Sequence, residues 1–115
     1  MTRALRDRLS DIIRACDHAL AAAALLEDAE ARRDASLEAI AFDAIAYNLI
    51  VVGEAVKALP PEVRRERPEV PWVQIAGMRD VLAHRYFHVD ATVVRSTVDS
   101  PLLELTAVCR RMLGD

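Results

Sequence analysis

The 115-residue chain is poor in cysteine and lacks any cysteine–histidine cluster. Its two cysteines are Cys16 and Cys109. Two thiols in a chain that is 53% apolar are typical of buried side chains in a reducing compartment, which argues against a disulfide-stapled secreted scaffold. Because cysteines and histidines nowhere recur at zinc-ligand spacing, we expect no bound metal and no cofactor.

Glycine, aromatic residues and long apolar runs are also scarce. Three glycines are too few for many β-hairpins, and aromatic residues make up only 4% of the chain. The sequence has no unbroken stretch of 18 apolar residues, and no apolar stretch follows the basic N-terminal residues. We therefore predict no secretory signal, no membrane-spanning segment and a cytoplasmic location.

The residues that are abundant favour helix. The chain has 20 alanines and 14 arginines, both strong helix formers. Apolar residues at spacings of three and four predict an all-α bundle of four or five helices, forming one domain over residues 1–115. A charged connection is expected at 28–34 and a proline-rich connection at 60–71. The predicted helices cover 3–27, 35–59, 72 to about 86, 90–98 and 100–113.

Three residues are expected to start helices, and one helix is unusually apolar. Thr2, Asp90 and Ser100 are suitable N-caps, the last followed by proline at the first helical position. From Ala44 to Val56 the only strongly polar residues are Asn48 and Glu54. A helix that is apolar nearly all round is buried on more than one side, so part of it is expected to face a second subunit.

Residues 77–88 bring six side chains able to do chemistry into one short segment: two arginines, two histidines, an aspartate and a tyrosine. On a helix, Asp80 and His84 share a face because they are four residues apart. Arg79 and His84 are five apart, or about 140° around the axis, so one helix does not bring them together well. Two antiparallel copies of the helix would do so, and a two-fold dimer makes each such contact twice.

These residue types suit RNA cleavage without a metal. Histidine titrates near neutral pH, so His84 suits the base that takes a proton from a 2′-hydroxyl. The planar guanidinium of Arg79 suits a developing charged phosphorane, and Arg85 would add phosphate affinity. The carboxylate of Asp80 is placed either to hold the tautomer of His84 or to accept from Arg79. The residues alone leave a plainer alternative open, since the dipole favours cations near any helix C-terminus.

Two motifs together resemble a known family. Arg79-x4-His84-x-Tyr86 follows Pro71-Trp72, and the apolar helix carries Asn-Leu-x-x-x-Gly-Glu-Ala over residues 48–55. This combination, in this order and around a proline-rich connection, resembles the HepT-like toxins of the HEPN superfamily over nearly the whole chain.

The resemblance implies an all-α homodimer with a composite, metal-independent endoribonuclease site in which Arg79 and His84 are the catalytic pair. It also implies a type VII toxin–antitoxin system, in which an MntA-like nucleotidyltransferase antitoxin attaches AMP to Tyr86. The chain departs from the family in two places. Asp80 stands where relatives often have asparagine, and Arg85 stands where many have glycine.

Two alternatives to an enzyme stay open at this point. One is a non-catalytic helical module that binds a nucleotidyltransferase partner or a nucleotide, and the other is a plain dimerisation protein. The role of Glu54 is likewise open, because a carboxylate in an apolar helix either pairs with a cation such as Arg79 or marks the solvent-facing line. Trp72 is expected to be a packing anchor against the motif helix, and His18 a surface residue.

The charge is distributed unevenly along the chain. The net charge is −3, which argues against nucleic-acid binding by bulk attraction. Residues 1–60 carry 7 basic against 10 acidic side chains, and residues 61–95 carry 6 against 5. Because the acidity lies away from the motif, we expect RNA to be held by a few local contacts and with modest affinity.

Overall fold

The structure is a computed structural model that describes residues 1–85 and 91–114. Within those residues all regular secondary structure is α-helical, which confirms the predicted fold class. Five helices are accompanied by one short helix of five residues, α3, which lies within the predicted proline-rich connection at 60–71. In chain order the helices are α1 Arg3–Ala31, α2 Ala35–Lys57, α3 Pro61–Arg65, α4 Trp72–Arg85, α5 Ala91–Thr97 and α6 Ser100–Leu113.

Helix α1 begins as predicted but continues further. The side chain of Thr2 accepts from the backbone N–H of Leu5 at 3.1 Å and caps the helix. The predicted connection at 28–34 is wrong in its first four residues. The helix continues because Ala29 is fully buried, so the charged residues around it lie on the outer face of a helix that still packs against the core. Only residues 32–34 connect α1 to α2.

Helix α2 is the central helix of the bundle. Ile45, Val52 and Val56 are fully buried, and the helix packs against both α1 and α4. Helix α2 is long and apolar enough to span a membrane, although the sequence has no unbroken stretch of 18 apolar residues. The core helix of a globular bundle is also long and apolar. The buried residues of α2 pack against α1 and α4, as those of a core helix do.

The proline-rich connection is held by the single tryptophan. The indole N–H of Trp72 donates to the carbonyl oxygens of Arg64 at 3.0 Å and Arg67 at 2.9 Å. Trp72 was expected to pack against the motif helix. It is the first residue of that helix, α4, and fastens the start of α4 to the preceding connection. Helix α4 continues without a break through Gly77.

Helices α5 and α6 close the bundle against α1. The predicted cap Asp90 lies outside the described residues. The N-cap of α6 is Asp99, one residue before the predicted Ser100, so Pro101 occupies the second helical position, where its missing N–H costs no intrahelical bond. Gly114 ends α6 in the left-handed conformation with φ of 91°. The buried residues of α6 include Leu102, Leu105, Val108 and Cys109.

Both cysteines lie in the core, as predicted. Cys16 in α1 and Cys109 in α6 are fully buried, and neither forms a disulfide. Burial raises the pKa of the Cys16 thiol to about 11 and that of Cys109 to about 12. Both thiols therefore stay protonated and act as small apolar side chains.

Candidate active site

The candidate site lies where α4 crosses the C-terminal half of α2. The crossing is closest at Gly53, where an added Cβ would lie 2.1 Å from the Cβ of Arg79. No side chain larger than hydrogen fits there unless α4 moves. The glycine of the motif at residues 48–55 therefore places the Arg79 backbone directly against α2.

The guanidinium of Arg79 is held between two carboxylates. It forms an ion pair with Glu54 from α2, and its Nη1 donates to the Oδ1 of Asp80 at 3.0 Å. The Arg79 side chain is 23% exposed and that of Glu54 is 54% exposed. The alternatives left open for Glu54 are therefore compatible, since it pairs with Arg79 and still faces solvent.

A lysine that the sequence analysis did not single out completes this cluster. The Nζ of Lys57 donates to the Oδ1 of Asp80 at 3.1 Å. Lys57 lies three residues after Glu54, so the two side chains share one face of α2. That spacing was readable in the sequence, but nothing in the sequence indicated which acidic residue of another helix would meet the lysine.

These contacts raise the pKa of Arg79 and lower the pKa of Asp80, as ion pairing predicts. The hydrogen bond to Asp80 raises the pKa of Arg79 above its already high ordinary value, with Glu54 adding to the effect. The hydrogen bond from Arg79, and then the one from Lys57, lowers the pKa of Asp80. Both groups are thus charged at neutral pH, as ion pairing requires.

The ring of His84 is oriented by the backbone of its own helix. Its Nδ1 lies 2.9 Å from the carbonyl oxygen of Asp80, one turn earlier. Because a carbonyl oxygen only accepts, Nδ1 carries the hydrogen, and Nε2 of the neutral ring keeps a lone pair directed away from that bond. Two roles were open for the Asp80 carboxylate, which could hold the tautomer of His84 or accept from Arg79. The carboxylate accepts from Arg79, and the backbone carbonyl of Asp80 makes the contact with the His84 ring.

The motif residues are only partly gathered in one copy of the chain. Arg79 packs against α2, whereas His84 is exposed near the end of α4. Arg85 is the last residue of α4 and its side chain is not among those described. Tyr86, the motif tyrosine, lies outside the described residues, and so does His88.

A groove of about 440 Å³ between α1 and α2 borders the cluster at Glu54. It is lined by Arg8, Arg14 and His18 from α1 and by apolar residues of α2 together with the aromatic ring of Tyr47. The Tyr47 side chain is 67% exposed. His18 is exposed, as predicted. The groove was not foreseen because its walls come from two helices whose facing residues are set by packing.

Among residues 1–85 and 91–114, no group of three or more histidine, cysteine, aspartate or glutamate side chains is arranged to hold a metal ion. The site as described is instead a cluster of two cations and two carboxylates, with an oriented imidazole one turn further along α4. A neutral imidazole with a fixed tautomer is able to move a proton, and a guanidinium is able to stabilise a phosphate.

Comparison with known proteins adds independent information. The family model described as Ribonuclease HepT-like matches residues 6–112. A protein named probable ribonuclease HepT from Thermococcus cleftensis is 36% identical over 91% of this chain and 92% of its own length.

Two further relatives match over a shorter stretch. A protein named as a candidate RNase from Caldanaerobacter subterraneus subsp. tengcongensis is 41% identical over 61% of this chain and 62% of its own length. Another with that designation, from Methanocaldococcus jannaschii, is 38% identical over 63% of this chain and 60% of its own length. The match therefore spans about six tenths of these two relatives. No solved structure matches the chain.

Proposed function

The chain belongs to the ribonuclease HepT-like family, and from this premise we propose that it is an endoribonuclease that cleaves RNA without a metal. The observation that carries the proposal is the hydrogen bond from the His84 ring to the carbonyl of Asp80 at 2.9 Å. It leaves Nε2 as a base next to the helix segment that presents Arg79.

The cleavage step follows from these two side chains. Nε2 of His84 takes the proton of a ribose 2′-hydroxyl, and the 2′ oxygen attacks the adjacent phosphorus. The bond from phosphorus to the 5′ oxygen of the next nucleotide breaks, leaving a 2′,3′-cyclic phosphate, and the departing oxygen takes a proton from water. The guanidinium of Arg79 stabilises the additional negative charge on the phosphorane oxygens. No redox partner or cofactor enters this balance.

We assign the complete site to a homodimer. Arg79 and His84 are separated by about 140° around α4, so two antiparallel copies bring the arginine of one to the histidine of the other. Helices α2 and α4 expose apolar side chains that supply surface for such a contact. They are Ile40 and Tyr47 on α2 and Val73 on α4. Their exposure is between 64% and 86%.

The proposed biological setting is that of a toxin in a type VII toxin–antitoxin pair. An MntA-like nucleotidyltransferase antitoxin would transfer AMP to Tyr86, two residues beyond the base. The added phosphate would repel the RNA backbone and the adenosine would block access to the site. Two free buried thiols suit a single-domain protein of the reducing cytoplasm. Intact mass after co-expression should increase in multiples of one AMP unit, and Tyr86→Phe should abolish the increase.

A second function is favoured by one feature of the cluster. Because the Arg79 guanidinium is already paired with Glu54 and Asp80, the same surface would suit a non-catalytic module that binds a nucleotidyltransferase or a nucleotide. Such a module would not arrest growth when expressed alone, and its His84→Ala variant would behave identically. An active toxin arrests growth, and His84→Ala relieves the arrest.

The direct test is RNA cleavage by the purified protein in excess EDTA. We expect cleavage by the wild type and a loss of at least about 100-fold in His84→Ala, the usual contribution of a general base. His18→Ala is the matched control, since His18 is also exposed but has no ring hydrogen bond among those described. Cleavage that persists in His84→Ala after further purification contradicts the proposal.

A further inference from the structure

We infer that Lys57 is a positioning residue of this site, which frees Arg79 for RNA by drawing the carboxylate of Asp80 towards itself. The inference rests on the proposed function. It concerns a residue outside both sequence motifs, and it follows from three contacts at the crossing of α2 and α4.

One oxygen atom is shared between two cations. The Oδ1 of Asp80 lies 3.0 Å from Nη1 of Arg79 and 3.1 Å from Nζ of Lys57. The side chains of Lys57 and Asp80 are 45% and 51% exposed, so both have room to move. Asp80 therefore has two cations to pair with and does not lose all pairing when it leaves one of them.

Both terminal nitrogens of Arg79 are already paired with a carboxylate. Nη1 donates to Asp80, Nη2 pairs with Glu54, and Nε is buried without a hydrogen-bond partner. A phosphate binds a guanidinium best through two parallel N–H groups, so an RNA phosphate that approaches Nη1 and Nη2 competes with a carboxylate. In the described part of the chain Glu54 forms an ion pair with Arg79 alone, whereas Asp80 also pairs with Lys57. Asp80 is thus the carboxylate that yields.

The charge of the cluster leads to the same conclusion. Arg79 and Lys57 balance Glu54 and Asp80, so the four side chains sum to zero. Without Lys57 the sum is −1, and a negatively charged cluster would face an incoming phosphate. Lys57 thus acts on the substrate through Asp80 and Arg79 without touching it.

A purely structural role for Lys57 is the competing explanation. Lys57 is the last residue of α2, where a cation stabilises the helix dipole. A residue that only stabilises the helix end changes the free energy of unfolding and leaves RNA affinity unchanged. RNA affinity, measured on folded protein, therefore separates the two roles, and Lys57→Arg should preserve both.

The experiment is a double-mutant cycle on RNA binding. Each form carries His84→Ala to prevent cleavage, and binding of a fluorescent single-stranded RNA oligonucleotide is followed by anisotropy at low salt. We expect Lys57→Met to weaken binding about three- to tenfold and Asp80→Asn to strengthen it by a similar factor. In the Asp80→Asn background, Lys57→Met should weaken binding by a smaller factor than it does when Asp80 is present, because the shared carboxylate is gone and only the loss of one charge remains.

Two controls and two contrary outcomes complete the design. Arg32→Met removes the same charge from the exposed ion pair with Asp28 and should leave affinity within twofold of the parent. The differences among the Lys57 and Asp80 variants should shrink as salt rises. If Lys57→Met has equal effects in both backgrounds, or no effect in either, the inference is overturned while the proposed function stands. RNA binding by none of the forms contradicts both the inference and the proposed function.

Discussion

Gly53 and Arg79 are in such close contact that a Cβ on the glycine would lie 2.1 Å from the Cβ of the arginine. This contact sets the distance between α2 and α4. It also determines that the Arg79 guanidinium reaches Glu54 on the next residue of α2. The packing of the core and the arrangement of the candidate site thus depend on the same pair.

Gly53→Ala should damage both the fold and the site. The new methyl group meets the first side-chain carbon of Arg79, which cannot turn away, so α4 has to shift. We expect a loss of about 1–3 kcal/mol in the free energy of unfolding, as for overpacked cores, together with loss of RNA cleavage. Chemical denaturation followed by circular dichroism measures the first and a cleavage assay the second.

Gly77→Ala is the matched control for that experiment. Gly77 is also inside a helix, but a Cβ there has nothing within 4 Å. Alanine has the higher helix propensity, so the variant should gain about 0.5–1 kcal/mol. Equal destabilisation by the two substitutions would show that the close approach at Gly53 does not govern the crossing.

The neutral ring of His84 should carry its hydrogen on Nδ1. This follows from the 2.9 Å contact with the carbonyl of Asp80. Nitrogen chemical shifts from two-dimensional NMR of the labelled ring, measured with the ring neutral, distinguish the two tautomers. His18 supplies the comparison within the same spectrum and should not show this fixed tautomer. A hydrogen on Nε2 of His84 would remove the base from the proposed mechanism.

The free energy of unfolding should fall in alkali because of the buried thiols. The pKa of Cys16 is raised from 9.0 to about 11 and that of Cys109 to about 12. In the unfolded chain these thiols lose protons above pH 9, whereas in the folded chain they stay protonated. Their contribution is therefore complete below pH 9 and is lost as the pH rises through 11 to 12, by about 2–3 kcal/mol for Cys16.

Denaturation at several pH values between 8 and 12 measures this effect. A variant with Cys16→Ala and Cys109→Ala should start less stable, because it loses packing, but its stability should decline less steeply with pH. All other ionisable groups are common to both proteins, so their effects cancel in the comparison. Parallel pH curves for the two proteins would contradict the assigned thiol shifts.

Much of the fold could be predicted because apolar periodicity was strong. The buried stripe of α1 was predicted by spacing, and Leu9, Ile12 and Cys16 are fully buried. The predicted end of α1 was too early because the sequence pattern of charged residues on the outer face of a helix is the same as that of a charged loop. Ala29 is the buried residue in this stretch, and one alanine adds little to a hydrophobic pattern.

The members of the candidate site were predicted, and the contacts of Arg79 with Glu54 and with Asp80 were predicted as open alternatives without a decision among them. Arg79, Asp80, His84 and Glu54 were all selected from their residue types and spacing. Which carboxylate meets which cation depends on where two helices cross, and that was fixed by Gly53, a residue with no side chain to suggest it. Lys57 was missed for the same reason, since 23 residues separate it from Asp80.

The most direct test of the proposed composite site is complementation within one dimer. Arg79→Ala and His84→Ala chains are co-expressed with different affinity tags, and the heterodimer is isolated by both tags in succession. One of its two sites then holds an intact Arg79 and an intact His84 from different copies, and the other holds neither. We predict about half of the wild-type RNA cleavage from the heterodimer and none from either homodimer. An inactive heterodimer beside an active wild type, or failure of the two chains to purify together, would contradict the composite site.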